Sequence, residues 1–160
     1  MVTPVFTIVP ARIDDLNAIM AIEEDSFLDS DQMTRAVMRK FIHANGTSSF
    51  TLVARSDENY VIGTIMVTTP RNKANRFNSR LYSYAVGAGR RGHGVGAALI
   101  ESACYMARTG FGRNMMRAEV RADNYYGLKR IEASGFKVVG SEANWYPDGC
   151  AGFFYVRPLL

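Results

Sequence analysis

The segment with the clearest chemical potential is a glycine-rich run from Gly87 to Gly96, with the sequence GAGRRGHGVG. It follows a β-type run that ends at Val86 and precedes a helical pattern that starts at Ala97. Glycines let successive backbone N–H groups turn toward one point, and a helix that begins there adds the partial positive charge of its N-terminus. A strand, a glycine loop and a helix in this order therefore favour binding of a phosphate group.

Other proteins use similar glycine loops for other purposes. A P-loop requires Gly-x-x-x-x-Gly-Lys-Ser/Thr, which this chain lacks. A Rossmann fingerprint belongs to the first βαβ unit of its domain, and here the loop lies far from such a unit. A tight structural turn with no ligand remains an alternative at this point.

The spacing within the loop is Arg91-x-x-Gly94-x-Gly96. It resembles the Arg/Gln-x-x-Gly-x-Gly/Ala signature of the GCN5-related N-acetyltransferase (GNAT) superfamily, in which this loop wraps the pyrophosphate of coenzyme A. The resemblance extends over nearly the whole chain, and residues 30–80 are its least diagnostic part.

Three further segments resemble one branch of that superfamily, the acetyltransferases of ribosomal-protein N-terminal alanine. Glu119-Val120-Arg121-Ala122-Asp123-Asn124 is followed by Gly135-Phe136, and Asn144-Trp145-Tyr146-Pro147 resembles the branch's Asn-Tyr-Tyr-Pro. The first predicted helix also matches the branch, at Arg12, Asp14, Asp15, Ile22, Glu23, Ser26 and Phe27.

The resemblance implies an α/β (α+β) fold with a central mixed, mostly antiparallel sheet, flanked by helices and split to hold acetyl-CoA. It implies direct acetyl transfer to a primary amine, with acetyl-CoA as cosubstrate and no metal. Ala85 and Val86 would offer main-chain groups to the pantetheine and the acetyl carbonyl, and Asn124 would contact the coenzyme. The pyrophosphate would be held by Arg91, Gly92, His93, Gly94, Val95 and Gly96. Asn124 also fits a simple helix N-cap.

Glu119 occupies the family's position for the general base. An attacking lysine has a pKa of about 10.4 and an α-amino group one of about 7.7–8.0, so a group must accept a proton from the amine. Strand alternation places Glu119 on the face opposite the more apolar residues around it. The alternative is an exposed carboxylate paired with Arg117 or Arg121.

The pattern breaks at the general acid. The branch has a tyrosine seven residues after the motif's asparagine, and here that position is Ile131, which cannot donate a proton. Tyr146 is the first candidate to replace it, ahead of Tyr125 and Tyr126, which begin a helix. Water or the outgoing ammonium could also protonate the thiolate.

The chain-wide properties are those of a globular protein: 160 residues, 48% hydrophobic and 21% charged, with a formal net charge of +4. They predict a single domain, 1–160, with no membrane-spanning segment. Residues 1–15 lack a basic segment before an apolar core, and the two cysteines, Cys104 and Cys150, lie far apart, so a cytoplasmic protein without a zinc site is expected. Coenzyme A binding already accounts for much of the basic charge, so no nucleic acid is expected as a partner.

Hydrophobic periodicity and turn residues predict the element order β-α-α-β-β-β-α-β-α-β-β. Three functions fit the sequence: an acetyltransferase for peptide or protein amines, one for small amines such as polyamines, amino acids or antibiotics, and a non-catalytic module that binds coenzyme A. An acidic cleft would favour polyamines or aminoglycosides. Both a monomer and a homodimer are compatible with the aromatic C-terminal strand.

Overall fold

A computed structural model describes residues 5–160 of the chain. The predicted lack of a secretory leader depends in part on residues 1–4, which lie outside the described residues. The strands are β1 (Phe6–Pro10), β2 (Ser49–Ser56), β3 (Val61–Thr68), β4 (Asn78–Val86), β5 (Met115–Arg121), β6 (Lys137–Glu142) and β7 (Gly152–Pro158). The helices are α1 (Leu16–Ser26), α2 (Arg35–His43), α3 (Val95–Phe111) and α4 (Tyr125–Ala133), with short 3-10 turns at Ile13–Asp15 and Ala88–Arg90. The predicted order of elements is confirmed.

All the strands form one seven-stranded sheet in the order β1-β2-β3-β4-β5-β7-β6. Strands β4 and β5 pair in parallel, and the other neighbouring strands pair antiparallel. Helix α3 makes the crossover that a parallel pair requires. The predicted mixed, mostly antiparallel sheet is therefore confirmed.

The sheet is split between β4 and β5. The two strands pair from Asn78 with Met115 up to Leu81 with Ala118, and their remaining residues, 82–86 and 119–121, do not pair with each other. Each strand still pairs with its outer neighbour beyond this point. The result is a cleft between two well-supported strand edges, as the sequence predicted.

Two hydrophobic clusters lie on opposite faces of the sheet. The larger lies under α3 and α4 and includes Ile65, Leu99, Met116 and Ile131. The smaller lies under α1 and α2 and includes Ile19, Met38, Val53 and Met66. Full burial of one such side chain stabilises the fold by roughly 1.5–3 kcal/mol.

The helices α1 and α2 cover the β1 to β4 side of their face. They contact β2, β3 and β4, and leave the same face of β5, β7 and β6 without a helix above it. The residues of β5 that point to this face are Arg117 and Glu119, which are more exposed than Met116, Ala118 and Val120 on the other face. The predicted alternation of β5 is therefore confirmed.

Candidate active site

The glycine loop joins β4 to α3 at the open end of the split. Gly92 and Gly94 have φ angles of 80° and 82°, a left-handed conformation that side chains disfavour. Gly94 is the N-cap of α3, and its carbonyl accepts from the Ala98 N–H at 3.0 Å. The sequence needs glycine here because the chain must turn sharply before it enters the helix.

The backbone donors of this loop point away from the protein's own acceptors. The N–H groups of Gly92, His93 and Gly94 donate to no other group within residues 5–160. Those of Val95 to Ala97 lie in the first turn of α3, which has no intrahelical acceptor. A Cβ placed on Gly92 or Gly94 would meet nothing within 4 Å, so the loop is open to a ligand. This arrangement fits a pyrophosphate group.

Arg91 fixes the position of the loop. Its Nε donates to the Val86 carbonyl oxygen at 3.1 Å, and its Nη2 donates to Ser26 Oγ at 3.4 Å. The side chain therefore connects the loop to the end of β4 and to the end of α1. The Val95 side chain is buried in the core. Only the backbone of Val95 can therefore contact a ligand at the loop.

The main chain of β4 supplies the edge of the split. Gly87 donates to the Ile62 carbonyl of β3, and neighbouring residues of a strand direct their N–H and C=O groups to opposite edges. Val86 therefore directs its groups into the split, whereas Ala85 directs its own toward β3. An irregularity in the register with β3 leaves Tyr82 without a partner. Ser83 and Tyr84 then point to opposite faces of the strand, Ser83 toward Glu23 of α1 and Tyr84 toward the larger cluster.

Glu119 is the first residue of β5 beyond the last pair with β4, so it lies where the split begins. Its Oε2 accepts from Arg80 Nη2 at 3.0 Å and from Trp145 Nε1 at 3.3 Å. Its Oε1 accepts from no other described residue, and 27% of the side chain is exposed. The predicted alternative partners, Arg117 and Arg121, were wrong, because the ion pair is made with Arg80 on the adjacent strand.

Arg121 connects the loops on the two sides of the cleft. It makes ion pairs with Asp31 before α2, with Asp123 after β5 and with Asp148 in the β6–β7 loop. These contacts lower the pKa of the Asp123 and Asp148 carboxyls and raise the pKa of Arg121. Its place in the Glu-Val-Arg motif gave no indication of partners so distant in sequence.

Tyr146 lies against Arg121, whose guanidinium carbon is 4.8 Å from the centre of the ring. Burial and the charge of Glu119 raise the pKa of Tyr146 to about 12. The hydroxyl is therefore protonated at neutral pH and can donate a hydrogen bond. Proton transfer from it to a thiolate is unfavourable, because a thiol has a pKa of about 8.5.

Two further predicted positions, Asn124 and Ile131, belong to helix α4: Asn124 is its N-cap and Ile131 lies within it. The Asn124 side chain accepts from the Gly127 N–H at 2.9 Å and so caps α4. A Cβ on Gly127 would lie 2.4 Å from the Asn124 amide nitrogen, so the cap requires glycine there. Ile131 is 1% exposed and belongs to the larger hydrophobic cluster.

Two ionisable residues to which the sequence assigned no role at the site, Glu23 and Tyr84, lie beside the split. Glu23 is 2% exposed, and it accepts from the Met33 N–H at 3.0 Å and from Ser83 Oγ at 3.4 Å. Burial raises the pKa of the Glu23 carboxyl. Tyr84 packs against the larger cluster with its ring near the start of α3, and burial raises its pKa to about 12. Glu23 is the first of three consecutive acidic residues in α1, and the sequence alone does not indicate which of them is buried.

Cys104 belongs to the hydrophobic core and not to the split. Cys104 is buried among core residues, and burial raises the pKa of its thiol to about 11. Within residues 5–160, no group of three or more His, Cys, Asp and Glu is placed to bind a metal ion. No helix in that part of the chain is both long enough and apolar enough to cross a bilayer.

The comparison with protein families decides the assignment. The model of the acetyltransferase (GNAT) family matches residues 16–136. This chain belongs to that family. It is therefore an N-acetyltransferase, and the acetyl donor of this GNAT enzyme is acetyl-CoA. Among curated proteins, no sequence matches the chain significantly.

Solved structures share the GNAT fold over almost the entire chain. Ard1 from Thermoplasma volcanium is 24% identical, with 97% of this chain and 98% of that chain covered and a TM-score of 0.84. A phosphinothricin acetyltransferase from Sinorhizobium meliloti, solved with acetyl-CoA, is 24% identical over 96% and 88% of the two chains, with a TM-score of 0.83. The ribosomal-protein-S18-alanine N-acetyltransferase from Escherichia coli is 20% identical over 97% and 94%, with a TM-score of 0.78. The ribosomal-protein branch is thus one of several similar structures, and at these identities the comparison shows the shared fold.

Because the Glu23 carboxyl is buried, we expect the stability difference between this GNAT protein and its Glu23→Gln variant to depend on pH. Because its pKa is raised in the folded state, the folded protein binds more protons than the unfolded chain as the pH rises above the ordinary value of 4.5. The contribution of Glu23 to the free energy of unfolding therefore falls as the pH rises through that window. We expect Glu23→Gln to raise this free energy at pH 7, by on the order of 1 kcal/mol, and to gain nothing below pH 4.5.

Urea unfolding of both proteins between pH 4 and pH 8 measures this difference. Glu24→Gln, at an exposed residue of the same helix, is the matched control and should follow the wild type. A constant difference between Glu23→Gln and the wild type at every pH would contradict the prediction.

Proposed function

We propose that residues 1–160 form one N-acetyltransferase domain that transfers the acetyl group directly to a primary amine, with a peptide or protein N-terminus as the acceptor. The observation that carries this proposal is the split between β4 and β5, which has an open glycine loop at its end and a carboxylate where it begins. A thioester held in such a split is accessible to an amine from the face of the sheet that carries Glu119.

The residues present fit the parts of acetyl-CoA, which supplies an acetyl group on a thioester. The N–H groups of Gly92 to Ala97 would bind the pyrophosphate, supported by the N-terminal charge of α3. Arg91 would hold the loop in place through the Val86 carbonyl and Ser26. The N–H of Val86 would face the pantetheine and the acetyl carbonyl, and the Asn124 amide would add a contact while its oxygen caps α4.

Glu119 would accept the proton of the attacking amine. Arg80 and Trp145 hold one of its carboxylate oxygens, which leaves Oε1 to accept from an ammonium group or from a bridging water. A carboxylate is a weaker base than an amine, so an acceptor that loses its proton readily is favoured. The α-amino group, with a pKa of about 7.7–8.0, meets this condition better than a lysine side chain at about 10.4.

The leaving thiolate would receive a hydrogen bond rather than a proton from Tyr146. Ile131 cannot serve, since it is apolar and buried in the core. The raised pKa of Tyr146, about 12, keeps its hydroxyl protonated but makes it a weaker acid than a thiol. Water or the ammonium formed on the acceptor would therefore supply the proton.

The charges around the cleft argue against a polycationic acceptor. Asp31, Asp123 and Asp148 are all paired with Arg121, and Glu119 is paired with Arg80. Few carboxylates remain free to bind the second amine of a polyamine or an aminoglycoside. This observation favours acceptors with a single reacting amine.

Substitution of Gly94 tests the proposed pyrophosphate site. Gly94→Ala adds a methyl group at a φ of 82°, which costs about 1 kcal/mol or more and displaces the N–H groups that would face the phosphates. We expect affinity for acetyl-CoA to fall at least about tenfold, which is about 1.4 kcal/mol, as measured by isothermal titration calorimetry.

Gly46→Ala is the matched control, because Gly46 has a φ of 91°, has no atom within 4 Å of its Cβ position and lies at the opposite end of the sheet. It should lose similar stability and keep its affinity. Failure of the wild type to bind acetyl-CoA would refute the proposal. Equal binding by the wild type and the Gly94 variant would show that the loop is not part of the coenzyme site.

Substitution of Glu119 tests the proposed base. Glu119→Gln keeps the shape of the side chain but cannot accept a proton, so kcat should fall about a hundredfold or more, in the range typical of a lost general base. Release of coenzyme A thiol in the presence of a peptide amine measures the rate. The defect should shrink at high pH, where more of the amine is already neutral.

Glu142→Gln, on the exposed strand β6, is the control for loss of one carboxylate and should behave as the wild type. If Glu119→Gln keeps kcat within about twofold of the wild type while it binds acetyl-CoA normally, Glu119 is not the base.

A further inference from the structure

A cavity of about 310 Å³ lies beside Glu119 on the face of the sheet that α1 and α2 leave uncovered. One wall comprises Asn75 in the loop before β4, Asn78 and Arg80 of β4, and Arg117 of β5. It extends from Glu119 away from the split, toward the paired half of β4 and β5. A group attached to an amine at Glu119 could therefore enter it.

The positive charges of the residues that line this cavity outnumber the negative ones. Arg80 and Arg117 are register partners on the parallel strands β4 and β5, so two guanidinium side chains lie next to each other on one face. Like charges in such a position destabilise a sheet. Glu119 makes an ion pair with Arg80, but within residues 5–160 Arg117 has neither a carboxylate nor a hydrogen-bond partner. One positive charge at the cavity is left without a counter-charge.

Arg113 adds a second unbalanced charge behind the same wall. It is 6% exposed, and its guanidinium donates to the backbone carbonyls of residues 69, 70, 75, 76 and 78, which fixes the loop that lines the cavity. No carboxylate of the described residues makes an ion pair with it. Burial and the nearby charge of Arg71 both lower the pKa of Arg113, as expected where positive charge is in excess.

The opposite wall is apolar, with Val139, Phe154 and Val156. Phe154 and Val156 are the register partners of Glu119 and Arg117 on β7. A ligand in the cavity would therefore meet hydrocarbon on one side and guanidinium on the other. This is the chemistry that binds a short hydrocarbon chain ending in an anionic group.

We propose that this cavity binds a carboxylate of the amine acceptor, with Arg117 as its main partner, so that the enzyme prefers acceptors that carry a carboxylate close to the reacting amine. The inference rests on the proposed function, since it assumes that the amine reacts beside Glu119. Arg117 and Glu119 are two residues apart on one strand, which places their Cα atoms about 6.6 Å apart. A dicarboxylic amino acid and a peptide with an acidic residue near its N-terminus both span such a distance.

The test compares acceptors that differ only in charge. Four are used: free glutamate and three alanine-initiated peptides that carry Glu, Gln or Lys at the second position. We expect the wild type to acetylate the Glu peptide with a kcat/KM about threefold above the Gln peptide and about tenfold above the Lys peptide, as for partly exposed charge pairs. The preference should weaken with added salt. Free glutamate shows whether an amino acid or a peptide is the better source of the carboxylate.

Variants of Arg117 connect the preference to the cavity. Arg117→Gln should abolish the Glu-over-Gln ratio, Arg117→Glu should invert it, and Arg117→Lys should retain most of it. Arg108→Glu makes the same charge change at an exposed position of α3, on the other side of the sheet, and should leave every ratio unchanged. Circular dichroism melting curves confirm that each variant is folded.

These measurements distinguish a failure of this inference from a failure of the proposed function. Equal kcat/KM for the three peptides, or ratios that Arg117→Glu leaves intact, would overturn this inference and leave the proposed function standing. No release of coenzyme A with any acceptor would instead refute the proposed function. In that case, calorimetry with N-acetylated Glu and Gln peptides, added to the protein with coenzyme A, still tests the cavity. Tighter binding of the Glu peptide would support carboxylate binding in the cavity, and equal binding would reject it.

Discussion

The parallel pairing of β4 and β5 extends from Asn78 with Met115 to Leu81 with Ala118 and then stops. The position of this stop determines most of the site. Val86 at the end of β4 and Glu119 on β5 come to lie on the two edges of one cleft, because each strand remains fixed by its outer neighbour. The unpaired edge of β4 presents backbone groups that would otherwise be used in the sheet. A continuous pairing of the two strands would leave no room for a coenzyme and no free main-chain donor.

Arginine side chains hold the parts around this cleft in position. Arg91 connects the glycine loop to α1, Arg113 fixes the loop before β4, and Arg121 joins the loops before α2 and after β6. The planar guanidinium suits this work because it presents several donors in a fixed geometry. Arg121 pairs with the carboxylates of Asp31, Asp123 and Asp148, and Arg80 pairs with that of Glu119. Arg117 is left to face the neighbouring cavity. Part of the positive charge behind the net value of +4 therefore lies beside the cleft.

The fold and the position of the glycine loop between β4 and α3 could be predicted because their signals are local in sequence. Hydrophobic periodicity defines the strands and helices, and Gly92 and Gly94 mark a loop whose conformation needs glycine. The contacts around Glu119 could not be predicted in this way. Arg80 lies 39 residues from Glu119, Asp31 lies 90 residues from Arg121, and Ser83 lies 60 residues from Glu23. These pairs follow from strand order and loop position, which no short motif encodes. The sequence offered only nearby arginines, Arg117 and Arg121, as partners of Glu119.

A crystal structure of the protein with acetyl-CoA tests the central claim most directly. We expect the pyrophosphate to lie within hydrogen-bond distance of the N–H groups of Gly92 to Ala97, and the acetyl group to lie between Val86 and Glu119. A coenzyme bound outside the split, with its pyrophosphate away from the glycine loop, would show that the split between β4 and β5 is not the coenzyme site.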